Sequence, residues 1–287
     1  MKEKLKERVL NKPVLYSFII FMICLSIRMV EYFVIKTDTT FISENFIHKL
    51  IGIIIIVFFL KVMNYKFKDI GFEKNKFLKY LIYGLILGGI CFGISYFTEY
   101  ITLYANSRNP GFELYVNGFS LVGNEVKHTE IIFFILCILL NIVNVIMEEG
   151  IFRGFFLKVI NNKNNFFKSN MIVALLFGLW HFVMPLRSFI NGEMNFISLI
   201  VMILGDIVLA GMMSIKWGML YKMTGSLFIG IGDHLFNNII ATNMLHIVTD
   251  TGADELQIVR ILIAQIISFM IVCLIYKKMK NKIQSNC

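Results

Sequence analysis

The run Leu50 to Leu60, LIGIIIIVFFL, presents no polar side chain over eleven residues, and comparable runs recur down the chain. With 57% hydrophobic and 16% charged residues and a mean hydropathy of +0.72, the 287-residue chain has too few polar side chains to clothe a soluble globule. Its surface must largely face lipid. The runs lack the polar/apolar alternation of membrane-barrel strands and suit helices of about 20 residues, the length a bilayer core demands.

Taken in order, the apolar runs predict an all-α transmembrane bundle of about eight helices, over 14–35, 47–63, 78–103, 129–160, 169–186, 196–222, 226–247 and 256–277. The net charge of +9 lies in short Lys and Arg clusters between these runs, which read as topology signals and not as a nucleic-acid surface. The basic N-terminus MKEKLKERVLNK, the stretch Lys61 to Lys79, the Lys158 to Lys168 connector, the Lys216 to Lys222 region and the tail from Lys277 share one side. The positive-inside rule makes that side cytoplasmic, with both termini there, and places the acid-richer segments carrying Glu125, Asp250, Asp254 and Glu255 outside. The first run lacks a small-residue cleavage site and is read as an uncleaved helix. The longest connection, 104–128, lies outside as an ordered cap or a loop. Cys24, Cys91, Cys137 and Cys273 stand singly in apolar runs as buried thiols, and Cys287 ends the chain without a prenylation box.

An ionisable side chain at membrane depth costs at least about 2.5 to 3.5 kcal/mol, so each needs a partner or a purpose. In NIVNVIMEEGIFRG, Glu149 and Arg153 stand four apart, as an ion pair would. Glu148 instead lines up with Asn144 and Asn141 on a polar stripe, without a cation on its own helix. In LLFGLWHFVMP, Phe177 and His181 share a face, and Pro185 cannot donate to the His181 carbonyl, so the helix should kink or end there. In GIGDHLFNN, His234 and Asn238 share a face, with Asp233 and Asn237 on neighbouring ones. Arg28 with Glu31 reads as a structural pair in the first helix. Asp206 has no assigned role.

Counted along their helices, Glu148, His181, His234 and Asn238 all fall roughly 12 to 18 Å from the inner boundary. One shared site follows. A glutamate and a histidine can take a proton from water, while a histidine and an asparagine hold the oxyanion formed when that water attacks a carbonyl. A zinc alternative would use Glu148, His181 and His234 as ligands, although no compact zinc spacing such as HExxH occurs. No GxSxG elbow is present, and an aspartate-type site would have only Asp206 and Asp233 to draw on.

EEGIFR (Glu148 to Arg153), FGLWH (Phe177 to His181) and HLFNN (His234 to Asn238) match EExxxR, FxxxH and HxxxN motifs in order. Over roughly residues 130 to 247 the chain thereby resembles the CPBP family of intramembrane proteases, which includes CAAX prenyl endopeptidases and bacteriocin-processing or immunity proteins. The resemblance implies that Glu148 and His181 activate water, that His234 and Asn238 stabilise the oxyanion, and that Glu149, Arg153 and Phe177 support the site. It divides the single structural domain into N-terminal helices and outer loop over 1–128, a catalytic core over 129–247, and a last helix with basic tail over 248–287. Asp233 departs from the small or apolar residue common before that histidine. The favoured chemistry needs no metal, with zinc as the alternative cofactor. The expected partners are the bilayer and a membrane-associated peptide or protein, not nucleic acid or a nucleotide. A non-catalytic scaffold or immunity protein is the first rival; a proton-relay transporter is the second, disfavoured by the lack of repeated halves.

Overall fold

The computed structural model describes residues 2–40, 42, 44–117 and 127–285. Glu125, Cys287 and the middle of the 104–128 connection lie outside the described residues. The chain begins with a short helix α1 (Lys2–Asn11), turns at Lys12 and enters α2 (Pro13–Val30) with proline in the first turn, where its missing N–H has no helical partner to lose. There follow α3 (Ile47–Met63), α4 (Phe77–Ala105), β1 (Gly111–Leu114), α5 (Ile131–Glu149), α6 (Leu157–Asn161), α7 (Phe166–Trp180), α8 (Val183–Ile190), α9 (Phe196–Thr224), α10 (Phe228–Leu235), β2 (Leu245–Val248) and α11 (Gln257–Ser285).

Among the described residues six helical stretches are long and apolar enough to cross a membrane: Pro13–Thr39, Lys74–Ala105, Ile131–Asn161, Phe166–Ile190, Phe196–Thr224 and Gln257–Asn281. Their outward faces carry Phe18, Phe97, Val201, Val208 and Leu274, each at least 46% exposed, which is the surface of a multi-pass membrane protein. They account for six of the about eight helices expected, and the other two, 47–63 and 226–247, are present as shorter helical elements. α3 has 17 residues, about 25 Å of helix against a core of about 30 Å. The expected helix 226–247 is α10 followed by a widened π segment, Phe236–Met244, and then β2. The chain still alternates between two ends of the bundle.

At the basic end, Lys2 Nζ donates to Asn64 Oδ1 at 2.8 Å, Lys163 Nζ to the Asn11 carbonyl at 3.0 Å, and the Leu227 amide to the Gly71 carbonyl at 3.0 Å. At the opposite end β1 pairs antiparallel with β2, from Gly111 opposite Val248 to Leu114 opposite Leu245, a small β addition to the expected all-α fold. Lys216 leaves the group of topology signals. It lies about 12 Å inside the C-terminal end of α9 and is fully buried, in an ion pair described below. Cys24, Cys91 and Cys137 are buried free thiols, and Cys273 is half-buried.

Two helix contacts set the depth of the site. α10 lies against α4 with Gly84 facing Gly232, and a Cβ on Gly84 would come within 2.9 Å of the Gly232 Cα and onto the Ile229 carbonyl. Close approach of this kind is how membrane helices gain packing and polar contact without a hydrophobic driving force. Gly84→Leu is expected to lever α10 off α4 and cost at least the roughly 1 to 3 kcal/mol of an overpacked core, seen as a lower melting temperature and a lower yield of folded protein in detergent. On the other side, Gly178 lets α7 lie against Ile207 of α9.

Candidate active site

Three helices widen beside the site. α2 continues as a π turn at Glu31–Ile35, α5 as one at Gly150–Phe156, and α10 as one at Phe236–Met244. Such single insertions rotate the following side chains relative to a regular helix. The Asn141, Asn144 and Glu148 stripe faces a cavity of about 570 Å³ that is also lined by His181, His234 and Asn238. All four residues expected to do chemistry therefore border one space.

Glu148 is buried and accepts a hydrogen bond from Trp180 Nε1 at 2.9 Å through Oε1, while its Oε2 faces His234 Nε2 at 3.6 Å. α7 ends at Trp180, and His181 sits in the break before α8, as Pro185 requires. His181 Nδ1 lies 2.8 Å from the Phe177 carbonyl, which can only accept. The proton is therefore on Nδ1, and the neutral ring keeps its lone pair on Nε2.

His234 is fixed from three sides. Its Nδ1 lies 3.1 Å from Glu149 Oε1, its ring stacks on Trp217 at 4.1 Å between centroids, and Phe177 meets it edge-on at 6.3 Å. Glu149 also pairs with Arg153, Oε2 to Nε at 3.4 Å. The expected Glu149–Arg153 pair is present, but Glu149 additionally orients His234. Arg153 is fully buried, with its guanidinium carbon 3.9 Å from the Phe177 ring centroid and 4.7 Å from that of Trp217, so aromatic faces share its charge with Glu149.

Asp233, the departure from the motif surroundings, is neutralised. Its Oδ2 accepts from Lys216 Nζ at 2.6 Å and from Trp217 Nε1 at 2.7 Å. Lys216 continues to Gln265 Oε1 at 2.7 Å and Ser268 Oγ at 2.8 Å, and Gln265 Nε2 reaches Asn237 Oδ1 at 3.2 Å. Asn237 Nδ2 in turn donates to Asn238 Oδ1 at 2.9 Å, which turns the Asn238 amide nitrogen away from that bond. Asp206 borders the cavity.

The expected Arg28–Glu31 pair is not made. Glu31 opens the π turn and is spent on the start of α3, accepting from the Ile47 and His48 amides at 2.8 and 2.6 Å, from His48 Nδ1 at 2.6 Å and from Thr37 Oγ1. Four donors, two of them at a helix N-terminus, outcompete one guanidinium three residues away. Sequence reasoning also passed over the two tryptophans, both of which aim their N–H at a site carboxylate. The available signal was that a buried indole N–H needs an acceptor.

The cavity continues past Thr242 and Gln257 toward the β1–β2 end, where Tyr115, Asn117 and Asp254 line it. There His246 stacks on Tyr115 at 3.8 Å and lies 2.5 Å from Asp254 Oδ2 through Nδ1, and Arg260 reaches Asp254 Oδ1 and Glu99 Oε2, each at 2.9 Å. Burial raises the Asp254 carboxyl, but the His246 and Arg260 contacts outweigh it and hold the group below the ordinary carboxylate range.

The zinc alternative requires Glu148, His181 and His234 to converge on one point. Among the described residues no three His, Cys, Asp or Glu side chains are so placed. No curated protein matches the chain. Residues 130–240, which contain all three motifs, match the family model described as type II CAAX prenyl endopeptidase Rce1-like. The helices that carry Glu148, His181, His234 and Asn238 thus form a domain of the Rce1-like type II CAAX prenyl endopeptidase family, a family of proteases.

Proposed function

We propose that the protein is an intramembrane endopeptidase that cleaves a peptide bond of a membrane-associated peptide or protein, with Glu148 and His181 as the water-activating groups. The observation that carries this reading is the single cavity shared by Glu148, His181, His234 and Asn238. A water between Glu148 and His181 gives up a proton to this pair, and its oxygen attacks the scissile carbonyl carbon. The carbonyl oxygen becomes an oxyanion that accepts from His234 Nε2–H and the Asn238 amide. His234 carries a proton on each ring nitrogen in this role, its charge offset by Glu149 beside Nδ1. The proton taken from water then passes to the leaving amine as the C–N bond breaks.

No step needs a metal. The orientation proposed from the positive-inside rule puts the basic end in the cytoplasm, so the reacting groups lie toward that side while the cavity extends toward the opposite one.

Full-length protein in lipid nanodiscs, given membrane-anchored peptide libraries, is expected to release defined fragments detectable by mass spectrometry. Cleavage is expected to survive exhaustive chelation. Asn238→Ala should lower turnover by about 10²- to 10³-fold, the worth of one oxyanion donor. Undiminished cleavage by this variant would remove Asn238 from the oxyanion site, and loss of activity on chelation with recovery on zinc would restore the metal version. A protein that cuts nothing and still performs its cellular role would favour the scaffold reading.

A further inference from the structure

Arg28 is a buried cation, 6% exposed, that borders the cavity yet has no carboxylate within 4.0 Å among the described residues. Its partners are neutral. Nη1 donates to the Trp180 carbonyl at 2.7 Å, Nη2 lies 3.5 Å from the Tyr32 hydroxyl, and Nε has no partner. The guanidinium lies over the Trp180 and Tyr32 rings, 4.6 and 5.2 Å from their centroids. Lys49, which lines the same cavity, differs in this respect, being bound to Glu44 at 2.5 Å.

A guanidinium at membrane depth without an anion is costly unless an anion arrives with the ligand. The Trp180 carbonyl is an open acceptor at the end of α7 and fixes Arg28 in place without neutralising it. The same Trp180 holds Glu148 through its indole N–H, so Arg28 stands one indole ring from the proposed water-activating carboxylate. Planar guanidinium matches carboxylate in a two-bond fork, which a point-charge lysine cannot reproduce.

We propose that Arg28 is a substrate-binding residue that receives a carboxylate of the bound peptide, setting the distance between that carboxylate and the bond that is cut. The inference rests on the protease reading above. The carboxylate is supplied either by the peptide's own C-terminus or by an acidic side chain close to it, and both share the chemistry that Arg28 recognises.

The test uses full-length Glu148→Gln protein in nanodiscs, so that bound peptide is not consumed, with fluorescent five-residue peptides ending as the free acid, as the amide, or as an amide after a terminal Glu. The free acid is expected to bind at least thirtyfold more tightly than the plain amide, the factor corresponding to loss of one partner of a buried charged pair. That gap should close in Glu148→Gln/Arg28→Gln and narrow in Glu148→Gln/Arg28→Lys. Recovery of affinity by the terminal-Glu amide assigns the carboxylate to a side chain, and failure to recover assigns it to the chain end. Equal affinity for acid and amide, no binding of any peptide, or an equal loss for both in the Arg28→Gln protein would overturn the proposal and leave Arg28 as a prop for Trp180. The acid-against-amide comparison needs no Arg28 variant, so misfolding of Arg28→Gln does not spare the idea. Wild-type protein given the same peptides separates the two readings, because carboxylate-dependent binding without any cleavage would sink the protease and keep the anion site.

Discussion

Glu148→Gln is expected to lower peptide-bond cleavage by about 10²- to 10⁴-fold, the contribution of a positioned general base, while the protein stays folded. Glutamine keeps an amide oxygen where Oε1 accepts from Trp180 Nε1 at 2.9 Å, so the contact that locks the end of α7 survives. What it removes is proton-accepting capacity and the negative charge 3.6 Å from His234 Nε2. Cleavage measured alongside the melting temperature separates the two effects. Wild-type turnover by Glu148→Gln would refute the assigned role of this carboxylate; loss of turnover together with collapse of the fold would make Glu148 a packing residue.

Asp233→Ala is expected to cost about 3 to 5 kcal/mol of stability, because it strands a fully buried ammonium without its counter-charge. Lys216 would keep Gln265 and Ser268, which are neutral and cannot replace the Asp233 carboxylate at 2.6 Å. The companion variant Lys216→Met/Asp233→Leu removes both charges and is expected to recover most of that loss, since exchanging a buried pair for apolar side chains of similar volume is often near neutral. Thermal unfolding in detergent reads the difference. If the single and double variants melt together, the pair carries no coupling. Activity need not follow stability, because Asp233 also holds the Trp217 indole that stacks on His234; the double variant is expected to be folded but slower.

The parts of this arrangement that were legible in the sequence are those that depend on regular helix geometry. A period of 3.6 correctly set Glu148 beside Asn144 and Asn141 and apart from Glu149, and all of the stripe faces the cavity. Pro185 announced the break beside His181 because a missing N–H needs no tertiary context. Arg28 and Glu31 were misjoined for the converse reason. Their spacing was read on a regular helix, whereas Glu31 begins a wider turn and faces the start of α3. Lys216 was mistaken for a surface cation because its acid partner lies on the next helix, out of reach of any local pattern. The expected 226–247 helix is helical from Phe228 to Met244, widened in its second half, and ends early because Leu245–Val248 pairs with β1, more than a hundred residues earlier.

The three widened turns also make the protein sensitive to arithmetic as well as to chemistry. Each contains one residue more than a regular helix would hold over the same rise, and each stands beside a cavity residue: Arg28, Glu148, or the pair His234 and Asn238. Deleting Ile151 from Gly150–Phe156 would leave every motif side chain in the sequence, yet would erase the widened turn and bring Arg153 one position, about 100°, nearer to Glu149 around the helix. Spelling and counting are thus separate requirements, and a relative that retained every motif letter while losing one position between them would have kept the words and lost the sentence.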